Sequence, residues 1–196
     1  MKNANYQYNL HELLCLKKFS ETFQVFSTEE FCQAAVDWAE REVIAGRASE
    51  RLLIIASLGL DTTVDYVELE RYLLIYLKEQ GIQDPSLAYS ALVWLRLQLA
   101  QLIAASSAQE VERRLVFFTH CYLDDIPPAL FRITHLLSGL YWELYDEAVP
   151  VFYSRAYEMS EYQLLNHVTA RLQPLYRILC NPDWMHVLTS APDPGR

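Results

Sequence analysis

Apolar residues recur along this chain about every three to four positions, and the strict alternation of a half-buried strand is missing. Phe31, Ala35 and Trp38 form one stripe, and Leu69, Leu73 and Leu77 form another. Helix start signals lie between the stripes. Asn9-x-x-Glu12, Ser27-x-x-Glu30, Asp65-x-x-Glu68, Ser107-x-x-Glu110 and Ser160-x-x-Gln163 fit a capping box or a close variant. In such a box the first side chain accepts from a free backbone N–H, and the later one reaches back to the cap. Asp84-Pro85 reads as a further start, with proline in the first helical position. Gly46, Gly59 and Gly81 fall where helices should stop.

These signals predict helices over 9–19, 28–45, 50–58, 66–80, 85–105, 108–123, 127–146, 151–158, 161–180 and 183–189. The expected fold is all-α, an irregular multi-helix bundle of about nine to ten helices. Starts recur about every 20 residues, which also permits solenoid-like helix hairpins, but no residue pattern repeats with them. The stretch 85–105 carries Leu87, Leu92, Val93, Trp94, Leu95, Leu97, Leu99, Leu102 and Ile103 almost all round, with Gln98 and Gln101 on one narrow face. Such a helix should be covered on most sides. Pro174 should kink or split the helix at 161–180. Gly139, inside a helix, suggests a close helix crossing. One helical domain over 1–189 is expected, with a fraying tail, SAPDPGR, filling 190–196. The loop around Asp124–Pro128 is the best place for any boundary.

Composition narrows the function. The 196 residues are 52% apolar and carry a net charge of −9, a globular make-up. So acidic a chain repels a phosphate backbone, which argues against nucleic acid and for a basic protein partner. The most apolar run, Ala91–Ala105, is interrupted by Arg96, Gln98 and Gln101 and is too short for a membrane span. The opening MKNANYQYNLHELL has no apolar signal-peptide core. Cys15, Cys32, Cys121 and Cys180 show no C-x-x-C spacing. Reduced thiols in a soluble, cytoplasmic protein are the natural reading.

The stretch FTHCYLDD, residues 117–124, gathers His120, Cys121 and Asp124, with Asp125 next. Residues four apart share a helix face, so His120 can meet Asp124 and begin a metal site. No nearby H-x-x-x-H, E-x-x-H or C-x-x-C supplies the remaining ligands. His120 and Cys121 point about 100° apart on a helix and cannot readily act as base and nucleophile. The residues fit a helix end: His120 in the last turn suits the dipole, and Asp125 can cap the next helix. P-loop, G-x-G-x-x-G and G-x-S-x-G motifs are all missing from the sequence. No catalytic residue and no cofactor is assigned on this basis.

The most unusual composition is YWELYDEAVPVFYSRAYEMSEY at 141–162, where aromatics alternate with acids. Tyr and Trp bury much area at little entropy cost, and acids beside them steer in a basic partner. Tyr141, Trp142, Tyr145, Asp146, Glu147, Tyr153 and Tyr157 are therefore the candidate partner-binding residues. The same rings could instead form the edge of a core or line a small-ligand pocket.

Ala34–Leu60, AAVDWAEREVIAGRASERLLIIASLGL, followed by YVELERYLLIYLKEQGI from Tyr66, resembles small bacterial all-helical proteins, some similar to immunity proteins of polymorphic toxin systems. The likeness lies in W-A, then G, then S-x-x-L-x-I-x-A-x-L, then a helix ending in G-I, and covers about a quarter of the chain. It implies a non-catalytic protein, an immunity-type inhibitor of a basic toxin partner, and brings no catalytic residue with it. Two other readings stand beside it. One is a metal-dependent enzyme or metal binder in which His120, Asp124 and distant acids converge. The other is a helical adaptor or chaperone with an apolar groove, for which a homodimer would be natural.

Overall fold

The computed structural model describes residues 6–47, 49–60, 63–120, 128–146 and 155–190, and every regular element among them is helical. The helices are α1 (Leu10–Phe23), α2 (Thr28–Ile44), α3 (Glu50–Ser57), α4 (Tyr66–Glu79), α5 (Leu87–Ile103), α6 (Ala108–Thr119), α7 (Pro128–Tyr145), α8 (Glu161–Cys180) and α9 (Pro182–Ser190). Short 3₁₀ turns cover Leu58–Leu60 and Ala156–Glu158. The multi-helix bundle read from the spacing is the observed architecture. Most of the predicted helix at 151–158 and the tail at 191–196 lie outside the described residues. Two compact units emerge, Met1–Ser90 and Ala91–Arg196, with the division falling inside α5.

The first unit packs α1 on α2, α2 on α3 and α3 on α4, and α2 also touches α4. Full reciprocal capping boxes start α1 (Asn9, Glu12) and α2 (Ser27, Glu30). Asp65 caps α4 by accepting from the Val67 and Glu68 N–H groups. Ser49, unremarked in the sequence, caps α3 through the Leu52 N–H. The amphipathic stripes are buried as expected: Phe31, Ala35 and Trp38 on α2, Leu69, Leu73 and Leu77 on α4. The Trp38 and Tyr76 rings meet edge-on at 5.7 Å. Lys17 of α1 pairs with Glu70 of α4 at 2.6 Å, Tyr66 donates to the same carboxylate, and the ammonium lies 5.9 Å over the Phe31 ring.

Helix ends differ in instructive ways. Gly46 and Gly81 adopt positive φ, as stops should. Helix α1 runs past 19 to Phe23, with the Phe19 and Phe23 rings tilted against each other at 4.7 Å, and it ends on Gln24 at φ 51°, a left-handed stop without glycine. Gly59 follows the α3 C-cap, Leu58, where the α-helix gives way to a 3₁₀ turn, and it is also a contact: a Cβ there would lie 2.5 Å from Val36 Cγ1. Pro85 does not open α5. That helix starts later, with Ser86 Oγ accepting from the Tyr89 N–H.

In the second unit α6 packs on α7 and on α8, and α8 on α9. Helix α5 is sealed nearly all round: Ala91–Leu95, Leu97, Leu99 and Leu102 are all buried. Its buried amide, Gln101, accepts from buried Arg114 of α6 at 2.5 Å, and Arg114 also holds Glu110 at 2.9 Å. Glu110 does not close a box on Ser107. It accepts instead from the Ser106 N–H, and that bond first, Arg114 second, lowers its carboxyl pKa. Helix α8 opens on the Ser160–Gln163 box and continues unbroken through Pro174. The proline and Ala170, whose carbonyl loses its helical donor, both lie on the exposed side. Water can satisfy that carbonyl, so the expected split does not occur. Asn181 caps α9, with Pro182 in the first helical position. Gly139 is not at a crossing of described helices, since no described atom lies within 4 Å of where its Cβ would stand.

Gly59→Ala should destabilise the protein by about 1–3 kcal/mol in urea unfolding, because stiff, buried Val36 has little room to yield. Arg114→Met should cost about 2 kcal/mol by the same measurement, less than a fully buried pair because Glu110 keeps some water. Glu110's carboxyl is held low, so its share of stability is present above the unfolded value and is lost as pH falls through the folded one. The cost of Arg114→Met should therefore shrink in acid below about pH 4.

Candidate protein-interaction surface

The aromatic and acidic stretch folds into the end of α7, then, after residues that are not described, the 3₁₀ turn and the start of α8. The structure divides its candidates. Tyr141 and Tyr145, four apart on α7, lie tilted against one another at 5.3 Å and are half-buried rather than presented. Buried Leu144 and Leu140 mark the inward face beside them. The Tyr145 hydroxyl is fully enclosed and finds no hydrogen-bond partner among the described residues. Burial, then the Glu112 carboxylate and Tyr141, push its pKa up to about 12. Tyr145 is thus a neutral core-edge ring, which is the alternative that the sequence left open for these residues.

Trp142, about 100° round the helix from Tyr141, is exposed. Asp146 follows the last turn, and its backbone carbonyl accepts from the Arg155 guanidinium. Glu143 accepts from Arg171 of α8 at 3.0 Å, so this carboxylate braces α7 against α8. Glu147 and Tyr153 lie outside the described residues.

Tyr157 remains outward, at 70% exposure, and Tyr162 is with it at 75%. Between them Glu158 and Glu161 are also exposed. Both carboxylates are anchored from behind: Glu158 accepts from the Arg155 N–H at 3.0 Å, and Glu161 accepts from the Ala108 N–H at the start of α6. Tyr157 and Glu158 therefore stand on the 3₁₀ turn, and Glu161 and Tyr162 on the capped start of α8. Tyr162, Glu158 and Glu161 were not among the candidates read from the sequence. The Ser160–Gln163 box was the available signal, because residues in the first turn of a capped helix lie away from the core-facing apolar positions.

His120 is the C-cap of α6, with its N–H on the Phe117 carbonyl and its ring Nδ1 2.7 Å from Thr119 Oγ1. Its expected neighbours Cys121, Asp124 and Asp125 lie outside the described residues. Among the described residues, no group of three or more His, Cys, Asp or Glu side chains is placed to hold a metal ion. No helix among them is long and apolar enough to cross a membrane. Cys32 and Cys180 carry free thiols, the first buried, and the buried Cys15 Sγ lies 3.9 Å from His11 Nδ1. A cleft of about 440 Å³ is found in the first unit, lined by Lys17, Phe26, Phe31 and Tyr66 among others, away from the 141–162 rings. No protein-family model, curated protein or solved structure matches the chain.

Tyr145→Phe removes an enclosed hydroxyl that has no partner among the described residues and should raise stability by about 1 kcal/mol. Because the folded-state pKa is raised, the Tyr145 contribution is intact below about pH 10 and is lost as pH rises toward the folded value. Unfolding free energies measured between neutral pH and pH 11 should therefore fall less steeply in Tyr145→Phe than in the parent protein.

Proposed function

We propose that this chain acts by binding another protein, through the surface formed by Tyr157, Glu158, Glu161 and Tyr162. The observation that carries this reading is the exposure of both tyrosines beside two fixed carboxylates. Exposed tyrosines on a rigid element offer contact area with little ordering cost on binding. Carboxylates among them favour a basic partner and speed its approach, and the net charge of −9 adds to that field. The most concrete version is an immunity-type inhibitor, made and kept in the cytoplasm, that covers a basic surface of a toxin. The resemblance at 34–82 supports that version, and the absence of nucleotide-binding and hydrolase motifs from the sequence favours binding over catalysis.

The test is co-purification from the native host with mass spectrometry, followed by titration of the isolated partner. A stoichiometric basic protein is expected, with a Kd that weakens as salt rises. Tyr157→Ala and Tyr162→Ala should each weaken it about 10-fold or more, and Tyr145→Phe should leave it unchanged. An acidic partner, or one indifferent to both exposed tyrosines, would sink the proposal.

A further inference from the structure

Helix α4, in the first unit, carries an exposed stripe of unusual make-up. Val67 is 73% exposed and Leu74 52%, and Arg71 and Lys78 on the same helix are exposed with them. From Val67 to Lys78 the steps are four, three and four residues. At about 100° per residue the four positions fall within an arc of about 60°. That arc lies outside the face that buries Leu69, Leu73 and Leu77. The same spacing makes the seam of a coiled coil, here with an apolar side chain at one seam position and a cation at the next.

Both cations are available to a partner. Acids of α4 flank the stripe, but they are engaged elsewhere. Glu70 is held by Lys17 of α1 at 2.6 Å and by the Tyr66 hydroxyl, and Glu79 lies 3.4 Å from Arg51 of α3. Glu68, one turn before Arg71, is exposed and makes no bond to it. Arg71 lies 5.8 Å over the Tyr72 ring, a contact that involves no carboxylate. Neither Arg71 nor Lys78 forms an ion pair among the described residues. On a chain of net charge −9 the stripe is a local reversal of sign.

We propose that this stripe docks an acidic amphipathic helix of another protein. Apolar residues of that helix cover Val67 and Leu74, and its carboxylates meet Arg71 and Lys78. Cations at alternate seam positions select the partner, because an apolar helix would bury them unpaired. A second copy of this chain is selected against as well. Its own stripe brings no acid to these cations, whether it is laid parallel or antiparallel. A phosphate backbone would satisfy the cations but leave Val67 and Leu74 bare. The stripe takes a partner of opposite charge to the one proposed for Tyr157 and Tyr162, so the two proposals stand or fall separately.

Isothermal titration of the full chain tests the assignment. The probe is a helical peptide of about three heptads, its seam alternating leucine and glutamate on an alanine-rich background. The control peptide carries glutamine in place of each glutamate. The parent protein should bind the glutamate peptide, less tightly as salt rises, and the glutamine peptide about 10-fold more weakly or worse. Arg71→Glu combined with Lys78→Glu should remove binding of the glutamate peptide. The helical circular-dichroism spectrum should stay unchanged, since both positions are exposed and glutamate favours helix. If that double variant loses helical signal, Arg71→Gln with Lys78→Gln reads the same charges. Tyr157→Ala should leave the affinity unchanged. A parent protein that binds neither peptide overturns the proposal. So does equal affinity for the two peptides, binding that survives the loss of both cations, or binding that Tyr157→Ala abolishes.

Discussion

A helix that is apolar around nearly its whole circumference has to be enclosed, and α5 is such a helix. Alanine, leucine, valine and tryptophan side chains from Ala91 to Leu102 are withdrawn from water on every side. Each buried leucine is worth about 2 kcal/mol relative to exposure, so leaving this helix uncovered would cost more than a small protein's whole net stability. The Trp94 ring accordingly meets Phe117 and Phe118 of α6 at about 6 Å. The amide that the helix buries, Gln101, has its carbonyl oxygen claimed by Arg114, and Arg114 is in turn held by Glu110. Glu110 and Arg114 both belong to α6, so the bond from Arg114 to Gln101 is the one that ties α6 to α5, and Glu110 holds the guanidinium in place for it.

The outer surfaces follow from the same economy. Once Leu130, Leu137, Leu140 and Leu144 of α7 are buried, its other side must face outward whatever residues it carries. On most surface helices that side is charged. On α7 it holds Phe131, Leu136 and Trp142 together with Arg132 and His135. The start of α8 differs in kind. There the exposed rings are tyrosines, which tolerate water, and the acids beside them double as helix caps.

The sequence by itself determined that the protein is helical, where most helices start, and which stripes enter the core. Capping at Asn9, Ser27, Asp65 and Ser160 is local chemistry between a side chain and the backbone a turn away, so it can be read without knowing the fold. The burial of α5 was legible because its composition leaves no polar face to turn outward. Tertiary structure alone decided the rest. Gly59 looked like a stop, and the fold makes it a close contact with Val36 as well. Pro174 looked like a place to split the helix and does not, because Ala170, whose carbonyl loses its donor, lies on the exposed side. Of the aromatic cluster, Tyr141 and Tyr145 turned inward, while Trp142, Tyr157 and Tyr162 remained outside. A tyrosine's apolar ring and polar hydroxyl suit both places about equally, so its own chemistry does not choose. The rotation of the helix that carries it does, and that rotation is set by leucines on the opposite face and by the neighbours they pack against.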